Sequence, residues 1–165
     1  MMDTAYDSCT IETGRELCVA GLTIACAESC TGGLLTSTLT DVPGSSSYVM
    51  GSIVSYSNDV KSRVLHVSED TLASYGAVSE ETAREMAEGV RKLMGTDIGV
   101  GITGIAGPDG GSAEKPVGLV YIATANSAQT IVQKNIFLGT RIENKRAAVE
   151  KALAMIRDMI RSSSR

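Results

Sequence analysis

The chain has 165 residues, 43% of them apolar, and a formal net charge of −4. That is one domain by length, with enough chain to bury a core of its own and too much apolar content for disorder. The acidic balance, with no basic run longer than Lys145-Arg146, counts against a nucleic-acid or anionic-membrane surface.

Met1 to Asp7 has neither the basic region nor the apolar core of a secretory signal and is expected to fray. No stretch approaches transmembrane length, so the expected location is the cytoplasm. Ile11 to Ala20 reads as a helix, with Thr10 as its cap and Gly21 beyond its end. The apolar run Leu22 to Ala27 reads as a strand. It enters the turn Ala27-Glu28-Ser29-Cys30-Thr31-Gly32-Gly33, and a helix follows to about Thr40. Asp41 to Ser47 is a loop by its turn residues. Tyr48 to Tyr56 is a second strand, rich in β-branched and aromatic residues. Asn58 to Leu65 and Glu69 to Tyr75 are short helices.

Ser79-Glu80-Glu81 opens a clearer helix, with a capping hydroxyl and then two acids in the first turn. Ala83, Met86, Ala87, Val90 and Met94 recur at helical spacing, and Gly95 stops them. Ile98 to Thr103 is a third strand, and Gly104 to Pro116 a glycine-rich loop. Val117 to Thr124 and Thr130 to Phe137 form a hairpin. Ile142 to Ile160 is the last helix, and Ser162 to Arg165 a loose tail. Alternating helices and strands followed by a hairpin predict an α/β fold. We expect three α/β/α layers, with a mixed, mostly parallel sheet ending in an antiparallel hairpin.

The four cysteines, Cys9, Cys18, Cys26 and Cys30, contain no Cys-x-x-Cys pair and are expected to be free thiols. The single histidine, His66, is expected to end a short helix. One histidine and scattered cysteines make no metal site, so no metal and no cofactor are expected.

Gly99-x-Gly101-x-x-Gly104 matches a dinucleotide-binding string, but its context contradicts it. Such glycines must follow a strand and open a helix. Here they lie inside a predicted strand, and the glycines and proline that follow cannot begin a helix.

The Ser29 turn and the loop from Thr103 to Gly111 both leave strands at their carboxyl ends, where open α/β sheets bind ligands. The turn aims backbone N–H groups at one point, which favours anions and developing oxyanions. Gly32 and Gly33 allow a ligand close to the backbone. Ser29 or Thr31 either attacks a carbonyl or caps the helix. Lys61 falls early in the helix after the second strand. Desolvated beside a serine, it would lose its charge and act as a base. Left in water it is an ordinary surface cation, and the residues alone favour that. Cys30 competes as a nucleophile, since a thiolate is stabilised near a helix amino terminus, but no histidine is near it in sequence and a small buried cysteine packing the turn is the commoner case.

Several blocks together resemble one family. Ala27 to Gly33, Asp41-Val42-Pro43-Gly44-Ser45-Ser46, Val54-Ser55-Tyr56-Ser57-Asn58, Gly76 to Glu81, Thr103-Gly104-Ile105-Ala106-Gly107-Pro108 and Lys115-Pro116-Val117-Gly118 are similar to successive blocks of the CinA carboxyl-terminal domain family. That family includes the nicotinamide mononucleotide amidases. The resemblance implies hydrolysis of nicotinamide mononucleotide to nicotinate mononucleotide and ammonia, in pyridine-nucleotide recycling. It implies Ser29 as nucleophile, Lys61 as base and Tyr56 as an orienting group. Thr103 and Gly104 would line the nucleotide site. Glu28, Thr31, Gly32, Gly33 and Ser46 would contact substrate, and Arg141 and Lys145 would meet the phosphate. The family often carries arginine where this chain has Lys145, which keeps the charge and loses the bidentate fork. The larger amino-terminal domain of full-length family members is absent, so the chain reads as a stand-alone form. A homodimer or larger homo-oligomer is the expected assembly. The rival expectations are a non-catalytic nucleotide-binding module and a thiol enzyme using Cys30.

Overall fold

The computed structural model describes residues 7–163. In chain order the elements are α1 (Ser8–Ala20), β1 (Ile24–Glu28), α2 (Leu34–Thr40), a 3-10 turn (Ser45–Ser47), β2 (Val49–Val54), α3 (Asn58–Leu65), α4 (Glu69–Tyr75), α5 (Glu80–Met94), β3 (Ile98–Gly104), β4 (Leu119–Ala125), β5 (Thr130–Ile136) and α6 (Arg141–Ser163). The sheet order is β2-β1-β3-β4-β5. β1 pairs in parallel with both β2 and β3, and β3-β4 and β4-β5 are antiparallel. This is the expected mixed sheet, parallel on one side and closed by a hairpin on the other.

Strand side chains alternate between faces. Ile24, Cys26, Val100, Ile102, Val120 and Ile122 face a core built with α1, α2 and α6. Ala25 and Ala27 face the opposite layer and pack with Met86 and Val90 of α5. That face is lined by small residues, and α5 presses closely onto it. A Cβ at Gly99 would fall on the carbonyl of Ala87, and one at Gly101 on that of Ala83. The Gly99-x-Gly101 spacing therefore serves helix-on-sheet packing, because only glycine lets α5 approach this near.

Ser79 caps α5 by accepting from the Thr82 N–H, and Gly95 ends it in the left-handed region at φ 64°. His66 likewise ends α3, at φ 59°. All four cysteines are free. No helix among the described residues is long and apolar enough to cross a membrane.

Some boundaries differ from expectation. Asp7 does not fray: its carboxylate caps α1, which starts at Ser8 rather than after Thr10. The rest of that segment, residues 1–6, lies outside the described residues. β2 is trimmed to Val49–Val54, and β4 begins only at Leu119 because Gly118 adopts φ 89°. α6 continues through Ser162 to Ser163, where the hydroxyls of both serines donate back to the Met159 carbonyl. The remainder of the predicted tail, 164–165, is outside the described residues.

Candidate active site

The carboxyl ends of β1, β2 and β3 leave the sheet at one edge. Ser29 follows β1 directly. Its N–H donates to the Ile102 carbonyl at 3.0 Å, and the Ser55 N–H donates to the Glu28 carbonyl at 2.8 Å. These bonds extend the two parallel ladders by one residue, so Ser29 is pinned between the ends of β2 and β3.

The turn after Ser29 is held from beneath by Glu28, which is fully buried. Its carboxylate accepts from Thr31 Oγ1 (2.7 Å), the Leu35 N–H (2.9 Å), the Thr36 N–H (3.0 Å) and Thr36 Oγ1 (2.7 Å). The N-cap of α2 is Gly33, which has no side chain to cap with. Glu28 takes over that task from seven residues before Leu35, satisfying N–H groups that the first turn leaves without partners. Gly32 and Gly33 hold φ 61° and 101°, which lets the chain double back above it. Glu28 is thus a support for the turn, with both carboxylate oxygens committed beneath the surface. Thr31 is buried with it. The Gly32 and Leu34 N–H groups close the turn onto Ser29 and Thr31. Among the described residues the N–H groups of Cys30, Thr31 and Gly33 have no backbone acceptor, and of these three residues Cys30 lines the pocket beside Ser29.

Lys61 sits one turn into α3, whose cap Ser57 accepts from the Val60 N–H. Contrary to the solvated reading, it is 1% exposed. Its Nζ lies 3.0 Å from Ser29 Oγ and 2.6 Å from the Ser55 carbonyl. No carboxylate among the described residues pairs with it; the nearby Asp59 is bound to Arg63. Burial without a counter-charge lowers its pKa from the ordinary lysine value, an effect that the neighbouring Cys30 only partly opposes. The rival nucleophile Cys30 lacks the lowered pKa that such a role needs. Its thiol is buried and desolvation pushes it up to about 11.

Around this pair lies a pocket of about 290 Å³, lined by Tyr56, Asn58, Ala77, Val78, the segment Thr103 to Gly107, Asp109, Gly110 and Arg141. Thr103 is buried and donates to the Ala77 carbonyl at 2.7 Å, tying the β3 exit to the α4–α5 connection. Arg141 begins α6 and clamps two walls together. It donates to the Gly107 carbonyl (2.6 Å) and to Tyr56 Oη (2.9 Å). Lys145, one turn later, brings its Nζ to 3.8 Å from the place a Cβ on Gly32 would take.

Ser46 is not at this edge. It precedes β2, whose first residue pairs with Ile24 at the start of β1, so it is exposed at the opposite end of the strands. Sequence reasoning assigned no role to Asn58, Ala77, Val78 or Asp109, which also line the pocket. All four stand in stretches quoted above, but nothing local shows that those stretches face each other. A larger concavity, about 900 Å³, lies between α1 and the end of α6 and is lined by Glu12, Arg15, Glu16, Val19, Ala20, Ile160 and Arg161. It offers no nucleophile.

The family model of the CinA C-terminal domain matches residues 7–160. A CinA-like protein of Syntrophomonas wolfei is 50% identical over 154 residues, covering 92% of this chain and 37% of that relative. The chain spans about a third of the length of the curated relatives it matches. Among solved structures, the competence/damage inducible protein CihA from Agrobacterium tumefaciens is 39% identical with a TM-score of 0.90, covering 94% of this chain and 96% of that one. A CinA superfamily protein from Escherichia coli is 32% identical with a TM-score of 0.89, covering 96% and 93%.

Proposed function

This chain belongs to the CinA C-terminal domain family, and from that membership and the Ser29–Lys61 geometry we propose that it is a serine amidase acting on the carboxamide of nicotinamide mononucleotide. The observation that carries the reading is a buried lysine, without a counter-charge, in contact with a serine at the head of a donor-rich turn. The relatives' names speak of competence and damage induction; the reaction is inferred from the family resemblance and from the Ser29–Lys61 pair.

A neutral Lys61 amine has two N–H donors and one lone pair. One N–H goes to the Ser55 carbonyl, and the lone pair receives the Ser29 proton as Oγ attacks the carboxamide carbon. Backbone N–H groups of the turn from Ser29 to Gly33 take the oxyanion. The Lys61 ammonium then gives its proton to the departing nitrogen, which leaves as ammonia, and Ser29 carries the acyl group as an ester. Water, losing a proton to Lys61, attacks the ester. Nicotinate mononucleotide leaves as Ser29 Oγ recovers the proton. A pure binding module gains nothing from burying an unpaired lysine, which argues against that rival. The raised thiol pKa argues against a Cys30 nucleophile.

The direct test is ammonia release from nicotinamide mononucleotide by the purified protein; no release above a Ser29→Ala control would refute the reading. Turnover is expected to survive a chelator, because the pocket lining offers one carboxylate, Asp109, and no histidine. Loss in chelator with recovery on adding a divalent ion would overturn that expectation.

Arg141 is assigned to the substrate phosphate through charge-assisted hydrogen bonds, with Lys145 as a second positive charge. Arg141→Ala is expected to raise KM for the nucleotide by roughly tenfold or more and to leave turnover of the dephosphorylated riboside nearly unchanged. Equal damage to both substrates would instead make Arg141 only the clamp between Gly107 and Tyr56.

A further inference from the structure

Asp109 is the one carboxylate among the residues lining the Ser29 pocket. It is exposed, and among the described residues it has no hydrogen-bond or ion-pair partner. Three other polar groups of the lining are already engaged: Lys61 with Ser29 and Ser55, Thr103 with Ala77, and Arg141 with Gly107 and Tyr56. An ionised carboxylate only accepts, so the ligand group that meets it must donate or carry positive charge.

The loop that carries Asp109 is braced at both ends. On one side, the Gly107 carbonyl is held by Arg141 at 2.6 Å. On the other, the Ser112 N–H donates to the Lys115 carbonyl at 2.7 Å, and Lys115 Nζ donates to the Tyr75 carbonyl at 2.6 Å. Gly107 and Gly111 both lie against Val117. The loop is therefore tethered on both sides of Asp109, which lies on the arm of the pocket gripped by Arg141. In a nucleotide whose amide meets Ser29 and whose phosphate meets Arg141, the ribose spans the interval. Its vicinal hydroxyls offer two donors at the spacing of two carboxylate oxygens.

We propose that Asp109 accepts the hydroxyls of the substrate ribose and makes the pocket select ribonucleotides over their 2′-deoxy counterparts. The inference rests on the amidase reading above. It gives a role to the one carboxylate of the lining, which has no partner among the described residues.

The test compares wild type with Asp109→Ala on nicotinamide mononucleotide and its 2′-deoxy counterpart, beside calorimetry with ribose 5-phosphate and 2-deoxyribose 5-phosphate. Wild type should show KM about 10–100-fold higher for the deoxy substrate, the effect of a charge-assisted hydrogen bond. Asp109→Ala should bring the two KM values together at the higher level, with kcat little changed. The sugar phosphates should follow the same pattern. If wild type releases ammonia from neither nucleotide, the amidase reading fails, while the sugar-phosphate binding still tests Asp109. If Asp109→Ala keeps the wild-type preference for ribose, or weakens ribo and deoxy ligands equally, the ribose assignment is overturned.

Discussion

Ser29→Ala is expected to lower kcat for amide hydrolysis on the order of 10³-fold or more, and Lys61→Met to do the same, with nucleotide binding largely intact. The two groups act as one unit across a 3.0 Å contact, so the double variant should be little worse than either single one. Lys61 must be neutral to take the proton. The rate of wild type should therefore fall as pH drops through the lowered Lys61 pKa, and this limb should vanish from the residual rate of Lys61→Met. Stability gives an independent check. A lysine whose folded pKa lies below its unfolded value leaves the unfolded state binding more protons between the two. Stability then rises with pH across that window. Lys61→Met should remove this rise and leave Tm at neutral pH unchanged or higher, because it replaces a desolvated amine with an apolar side chain of similar length. Near wild-type turnover in Ser29→Ala would remove Ser29 as nucleophile. Loss of binding without loss of kcat in Lys61→Met would make Lys61 a ligand group.

The second large effect concerns folding. Glu28→Ala is expected to cost about 3–5 kcal/mol, since removal of the carboxylate strands the Thr31 hydroxyl and the Leu35 and Thr36 N–H groups, while the Thr36 hydroxyl keeps Ser52 Oγ as an acceptor. For a domain of this size that is a fall in Tm of roughly 6–20 °C. Activity should fall further than stability explains, because the freed turn carries Ser29 and the oxyanion donors. Chemical denaturation measures the first effect; kcat of the folded fraction measures the second. Glu28→Ala with wild-type stability would show that water replaces the carboxylate and that the turn holds itself.

Much of the fold was legible locally. α3 and α4 have their predicted limits, and α5 has its expected cap, acidic first turn and glycine stop. Each of these rests on groups within a few residues of one another, so the sequence around them contains the whole cause. The errors fall where the cause is distant or where a competing local group wins. Asp7 displaced Thr10 as the α1 cap because a carboxylate three residues earlier reaches the Cys9 N–H at 3.2 Å. Glu28 and Ser46 belong to the quoted family blocks. The tertiary structure sends one beneath the turn and the other to the far edge of the sheet.

Local sequence was enough for the class of fold, the strand-turn-helix around Ser29, the misfit of the Gly99-x-Gly101-x-x-Gly104 string with a nucleotide loop, and a family resemblance that names a chemistry. The burial of Lys61 comes from the way the strands assemble. Its neighbours in sequence, Asp59 and Arg63, are solvated, and nothing local distinguishes it from them. It is buried because β1 and β2 pair in parallel, which brings the exit of one strand beside the exit of the other and sets Nζ between Ser29 Oγ and the Ser55 carbonyl. A pKa depends on the dielectric and the charges within a few ångströms, and those are fixed by which strands are neighbours rather than by which residues are adjacent in the chain.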